Sequence, residues 1–356
     1  MNNSDLFASL LGHLQALLPA AKAALLVNLA LMVLALAQSS DCHLATLATV
    51  LPLAGQRENL IQRLRRWLTS RALSPRVYYL PLLKHLLAHW QGRELALVMD
   101  RTALNDRWSV LKLGIAFGTR VIPCVWVLLA FGSTSAELQL KLLKQLQPYL
   151  PDPQRVRITL FADAEFRAVA VQKYCREQGW HWQLGVKSDT TYRTAQGDWQ
   201  PLSTIAIRKG QRLYRQGLYL TKEHDFGPVN LMVDWNPNED APRYIVLDQP
   251  ADRHAWRRGR KRFWIEPTFR DWKSYGFDLE NSELADPQRL ANLLLAMAIT
   301  YVWMLFLGQR LTQNGQRTVL EAAEHHDYSL FRLGRDWLRR CLALGQPVAI
   351  GFARSP

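Results

Sequence analysis

Three acids stand where a nuclease that works through two metal ions needs them. Asp100 closes the apolar run Leu95 to Met99, Asp163 closes Ile158 to Ala162, and Glu266 lies within the segment Arg262 to Lys273. A carboxylate at the end of a buried strand is rigidly held. Converging carboxylates bind two Mg²⁺ or Mn²⁺ ions about 3.5–4 Å apart, which activate water and stabilise a leaving oxygen. The substrate class implied is a DNA phosphodiester. Any one strand-end Asp has an ordinary alternative as a turn or cap residue, so the weight rests on the joint pattern. Asp106, Glu165, Asp234, Asp248 and Asp271 read as structural or surface acids.

The elements around these acids follow from apolar spacing. Residues 94–100, 109–117 and 121–129 are apolar or β-branched runs separated by short turns, as in a three-stranded antiparallel meander. A helix over 136–149, a strand over 155–162, a helix over 166–178 and a strand over 181–187 follow. Strand, strand, strand, helix, strand, helix, strand is the ribonuclease H order. In that order the first and fourth strands are neighbours, and Asp100 and Asp163 come side by side. Residues 188–249 alternate polar and apolar as a β-rich insertion, and Glu266 opens or lies within a helix that carries Pro267. A long apolar helix over 288–307 follows.

The fold class expected is therefore α/β, a ribonuclease H-like mixed sheet interrupted by a β insertion and preceded by an all-α domain. The divisions are 1–90 (helical), 91–187 (first part of the core), 188–249 (insertion), 250–310 (end of the core) and 311–356 (a tail of mixed charge). Within the helical part, Leu60, Ile61, Leu64, Trp67 and Leu68 form an apolar stripe, with Arg63, Arg65 and Arg66 on the other face. That pattern suits a helix-turn-helix-like DNA-binding unit and equally an ordinary bundle helix with a solvated basic face.

Composition points the same way. Lys and Arg number 44 against 30 Asp and Glu, a formal net charge of +14, and such an excess attracts polyanions by counterion release. Arg257, Arg258, Arg260, Lys261 and Arg262 lead directly into Glu266; the run is a DNA-backbone contact or a solvated charged face. Trp256, Trp264 and Trp272 are either core residues or platforms for an unpaired base. The four cysteines, Cys42, Cys124, Cys175 and Cys341, are too scattered for a zinc ribbon or a disulfide framework. The start of the chain has no secretory signal pattern, so cytoplasmic residence is expected, nucleoid-associated in action. The apolar stretches 23–37 and 293–307 are short for a bilayer and are expected to be buried core helices rather than membrane spans. No P-loop or dinucleotide-binding glycine pattern appears, so no nucleotide cofactor is expected.

The third-acid segment resembles the insertion-sequence IS4 family of DDE transposases. That family's signature is Tyr, two residues, Arg, three residues, Glu, six residues, Lys, and Arg262, Glu266 and Lys273 occupy its last three places. Gly259 stands at the Tyr place, a departure: the contact that tyrosine makes is missing or is supplied by a neighbour such as Trp256. The residues around Asp163, and those from Phe269 to Glu280, resemble the family as well. The resemblance implies metal-dependent cleavage of the element's ends and strand transfer, with Asp100, Asp163 and Glu266 as ligands of two Mg²⁺ or Mn²⁺ ions. It further implies that Arg262 and Lys273 position phosphate, and that a homodimer acts on DNA. The alternatives are a stand-alone metal-dependent nuclease and a catalytically silent DNA-binding protein.

Overall fold

The computed structural model describes residues 1–353 apart from 131, 133, 323 and 325. The N-terminal part is helical: α1 (Asn3–Leu17), α2 (Ala23–Gln38), α3 (Leu44–Thr49), α4 (Arg57–Leu68), α5 (Pro75–Tyr78) and α6 (Leu80–Ala88). α4 buries Ile61, Leu64, Trp67 and Leu68. The Trp67 indole donates to the Leu25 carbonyl at 3.1 Å and Arg63 donates to Asn28 at 2.7 Å. Arg63 is thus turned onto α2, satisfying the amide that interrupts the apolar run of that helix, while Arg65 and Arg66 stay exposed.

The core follows as β1 (Glu94–Ala103), β2 (Trp108–Phe117), β3 (Arg120–Ala130), α7 (Ala136–Leu146), β4 (Arg157–Ala162), α8 (Val169–Glu177) and β5 (His181–Val186). The strand order is β3-β2-β1-β4-β5, with β1, β4 and β5 parallel and β2 antiparallel to its neighbours. This is the ribonuclease H-like arrangement. Leu95 through Met99 are buried throughout, as a strand covered on both faces requires. Val98 joins Val121, Ile265 and Phe269 in a small cluster, while Leu95, Leu97 and Met99 point the other way into the main core.

Past β5 come β6 (Thr191–Arg193), β7 (Gln200–Pro201), β8 (Arg212–Leu220), β9 (Phe226–Asp234) and β10 (Arg243–Leu247). These strands extend the same sheet, because β10 pairs antiparallel with β5 and the order continues β10-β9-β8-β6-β7. α9 (Arg253–Gly259), α10 (Ile265–Arg270), α11 (Pro287–Gln313) and α12 (Leu330–Ala343) complete the chain. α11 is long and apolar enough to cross a membrane, but 94% of its most apolar window is buried inside the fold. The segment beyond Gln309 carries more structure than its mixed charge suggested. α12 packs on α11 where Gly308 and Gly334 bring the two backbones together, and a Cβ at either glycine would collide with the facing carbonyl.

Candidate active site

Sheet parity places the first two acids. Val98 pairs with Phe161 and Met99 with Ala162 in the parallel β1–β4 ladder, so Asp100 and Asp163 are the next residues past its end. β1 itself continues to Ala103 against β2. Side chains alternate between faces, so Asp100 shares the face of Val98, which α10 covers. Asp163 stays extended (φ −82°, ψ −170°) and its carboxylate accepts from the Glu165 amide at 2.9 Å. The ordinary capping role is therefore present alongside any chemical one. Gly185 on β5 lies so close to this turn that a Cβ there would sit 2.8 Å from the Ala164 nitrogen. A glycine inside a strand commonly marks such an approach.

α10 brings the third acid over that face. Glu266 lies in the first turn of the helix, exposed, and Pro267 follows in the same turn, where no intrahelical N–H bond is required. Asp100 is pushed up to about 7. Burial is the main cause; its bond from the Arg101 amide and the charge of Arg262 pull the other way, while Asp163 and Glu266 add repulsion. The three acids thus share one electrostatic neighbourhood. Among the described residues no three His, Cys, Asp or Glu side chains are grouped so as to hold a metal ion. As a donor set the acids suit a hard divalent cation: all are carboxylates, and both Asp163 and Glu266 act on the charge of Asp100.

The stretch that carries Arg262, Glu266 and Lys273, where Pro267 leaves a helix either beginning at Glu266 or kinked, is three segments. A 3₁₀ turn spans Arg260–Trp264, α10 spans Ile265–Arg270, and a π-helical turn spans Asp271–Tyr275. The change of pitch has a visible cause. Asp271, read from sequence as a surface acid, is 7% exposed and is gripped by Arg120 at 2.6 Å and by the Tyr301 hydroxyl at 2.8 Å. Lys273 in the π turn pairs with Glu280 at 2.7 Å.

The basic run does not face one way. Arg260 and Arg262 line a cavity of about 520 Å³ beside Asp163, whereas Lys261 reaches back to Glu94 at 3.6 Å. Arg257 is exposed and Arg258 half-buried. Of the tryptophans, Trp272 is fully buried and Trp264 packs on the Val98 cluster. Trp256 alone of the three lines the cavity, with the Arg212 guanidinium 4.0 Å above its ring.

Two residues in this neighbourhood escaped sequence reading. Gln183 on β5 is 4% exposed, and its Oε1 lacks a partner while its Nε2 donates to the Ala255 carbonyl at 3.2 Å. Lys112 on β2 is the cross-strand partner of Asp100, buried at 2% exposure. Its amine has no hydrogen-bond partner and stands 3.0 Å from the centre of the Trp272 ring. A lysine in the middle of the apolar run Trp108 to Phe117 was the available signal.

Residues 88–303 match the family described as the transposase DDE domain. None of the curated proteins matches the chain. Among solved structures, one that is similar is the piggyBac transposase synaptic complex with hairpin DNA, determined by cryo-electron microscopy. Identity is 10% over 97% of this chain and 84% of that one, with a TM-score of 0.44.

Proposed function

Because the chain belongs to the transposase DDE-domain family, and its function is DNA transposition, we propose that Asp100, Asp163 and Glu266 are its catalytic acids. The observation that supports this reading is that two adjacent strand ends and the first turn of α10 bring Asp163 and Glu266 within charge reach of the half-buried Asp100. These three carboxylates would hold two divalent cations, Mg²⁺ or Mn²⁺, which would supply the Lewis acidity that phosphodiester hydrolysis needs. The rigid β1–β4 ladder fixes Asp100 and Asp163, and α10 sets Glu266 opposite them.

Arg262, within charge reach of Asp100, and Arg260 place cations at the cavity beside Asp163. They hold the DNA backbone there, and Arg257, Arg258 and Lys261 extend the contact along the strand. Lys273 steadies a phosphate after leaving Glu280. The reaction is cleavage at the element's end followed by attack of the freed 3′-OH on target DNA, in the manner of the IS4 family, by a homodimer joining two ends. Residues 1–90 serve as a DNA-binding domain through the exposed Arg65 and Arg66, the β strands of 188–249 flank the site, and the protein works in the cytoplasm on nucleoid DNA.

The test is cleavage and joining of linear DNA bearing the element's ends, with Mg²⁺ or Mn²⁺, by wild type and Glu266→Gln. Glu266 is exposed and makes no structural bond among the described residues, so the substitution leaves the fold intact. Loss of both nicking and joining is expected. Undiminished activity would remove Glu266 from the reaction, and nicking without joining would favour a stand-alone nuclease.

A further inference from the structure

On the other side of α10 lies a second groove, of about 540 Å³. Its far wall is α12, from which Arg332, Arg335 and Arg339 project at i, i+3 and i+7 along one side. Its near wall is Arg270 of α10 and Arg120 at the start of β3, with Tyr275 at 78% exposure on the π turn.

Acids do not neutralise this groove. Five arginines line it against Asp271, Asp327 and Asp336. Asp271 is taken by Arg120 and Tyr301, and Asp336 is 3.4 Å from Arg332. Arg270 is exposed and has no charge partner among the described residues.

Arg335 is a built feature rather than a surface side chain. It is 6% exposed and donates through its two Nη atoms to the carbonyls of Gly276 and Ser39, at 2.8 and 2.9 Å. Its Nε is buried without a partner. Burial and the neighbouring Arg339 push its pKa down to about 10. A buried cation missing one bond beside a like charge is relieved by an anion.

We propose that this groove is a second DNA-backbone site, in which Arg270 and Arg332 hold phosphates of the strand running from the active site toward α12, over the buried charge of Arg335. Continuity with the catalytic face selects DNA as the occupant. Arg270 and Glu266 lie one turn apart on α10, so a strand at the acid reaches Arg270 next. Tyr275 then offers a ring to a sugar or base, which is how single strands are tracked without sequence preference. The proposal rests on DNA as substrate and takes the direction of the strand from the proposed role of Glu266, whereas the surplus of arginines in the groove stands without it.

The test measures binding of the full chain to a random-sequence 40-base-pair duplex, with and without a single-stranded tail, in EDTA across a NaCl series. The variants are Arg270→Gln with Arg332→Gln, and as a control Lys141→Gln with Lys144→Gln, two exposed lysines of α7 with the same charge change. Each phosphate contact contributes roughly 0.9 to the slope of log affinity on log salt. The arginine pair should lower that slope by about 1.8, while the lysine pair should leave it at the wild-type value. Equal slopes for both pairs would overturn the proposal. Because metal is absent, an error in the catalytic acids would change the cleavage assay and leave this result untouched.

Discussion

Gly259, where the resemblance of the third-acid segment expects a tyrosine, gives the sharpest test of how the cavity beside Asp163 is built. Its backbone (φ −59°, ψ −22°) is ordinary helical geometry that any residue adopts, so the glycine is not required by the chain. The constraint is Gln183: a Cβ at position 259 would lie 2.7 Å from its Oε1, closer than real Cβ contacts. Gly259→Ala must therefore displace a buried amide that donates to Ala255. Losing that bond costs about 1 kcal/mol, and a stranded buried amide a further ~1–3 kcal/mol. Replacing a helical glycine by alanine returns about 0.5–1 kcal/mol. The net expectation is destabilisation by about 1–3.5 kcal/mol. In a Gln183→Ala background the wall is gone, and the same substitution should stabilise by up to about 1 kcal/mol. Urea unfolding of the four proteins in a double-mutant cycle reads this directly, as a change of sign at position 259. If Gly259→Ala has the same sign and size in both backgrounds, Gln183 does not set the residue at 259 and the reasoning fails.

Lys112→Met removes a buried amine with no hydrogen-bond partner and keeps its stem and a contact to Trp272. Scanning calorimetry should show a higher Tm, and a lower one would mean that the stack on Trp272 outweighs the desolvation. Gly185→Ala forces the Asp163 turn away from β5, so cleavage should fall far more than stability; a loss confined to stability would separate Gly185 from the site. Glu165 accepts from Arg101 at 3.0 Å and from the amide and hydroxyl of Thr134 at 3.0 and 2.9 Å. Burial raises its pKa, but these bonds outweigh burial and hold it below its ordinary 4.5. A lowered folded pKa contributes stability that is complete above the unfolded value and is lost as pH falls through the folded one. Glu165→Gln should therefore cost about 1–2 kcal/mol at pH 7, shrinking below pH 4.5. A penalty that stays constant with pH would show that shape rather than charge holds Glu165.

The core was legible because its determinants are local. Unbroken apolar runs such as Leu95 to Met99 announce strands buried on both faces, and their order along the chain, with a helix before and after the fourth strand, selects the ribonuclease H arrangement. Once β1 and β4 are parallel neighbours, period-2 alternation puts Asp100 and Asp163 on one face with no further information. The insertion was legible as β structure but not as part of the same sheet. That depends on β10 pairing with β5, about sixty residues earlier, and no local pattern encodes such a pairing.

The third motif shows where local reading stops. A single helix from Arg262 to Lys273 would align Arg262, Glu266 and Lys273, and Pro267 is the local sign of a start or kink at Glu266. What changes its pitch is Asp271, drawn into the interior by Arg120, 151 residues earlier, and by Tyr301, 30 residues later. Nothing in the segment itself marks Asp271 as buried. Lys112 differs in that its apolar run marks it as buried, but not that its amine reaches Trp272 across the sheet face. Two buried ionisable groups, Asp271 with partners and Lys112 without a hydrogen-bond partner, thus lie beneath the helix that carries Glu266, and the π turn they accompany carries Lys273 and Tyr275. π turns are uncommon and recur at functional positions. Here the physical reason is explicit: the extra backbone residue in the turn lets Asp271 face inward to its two partners while its neighbours Arg270 and Lys273 remain at the surface, where a phosphate can reach them.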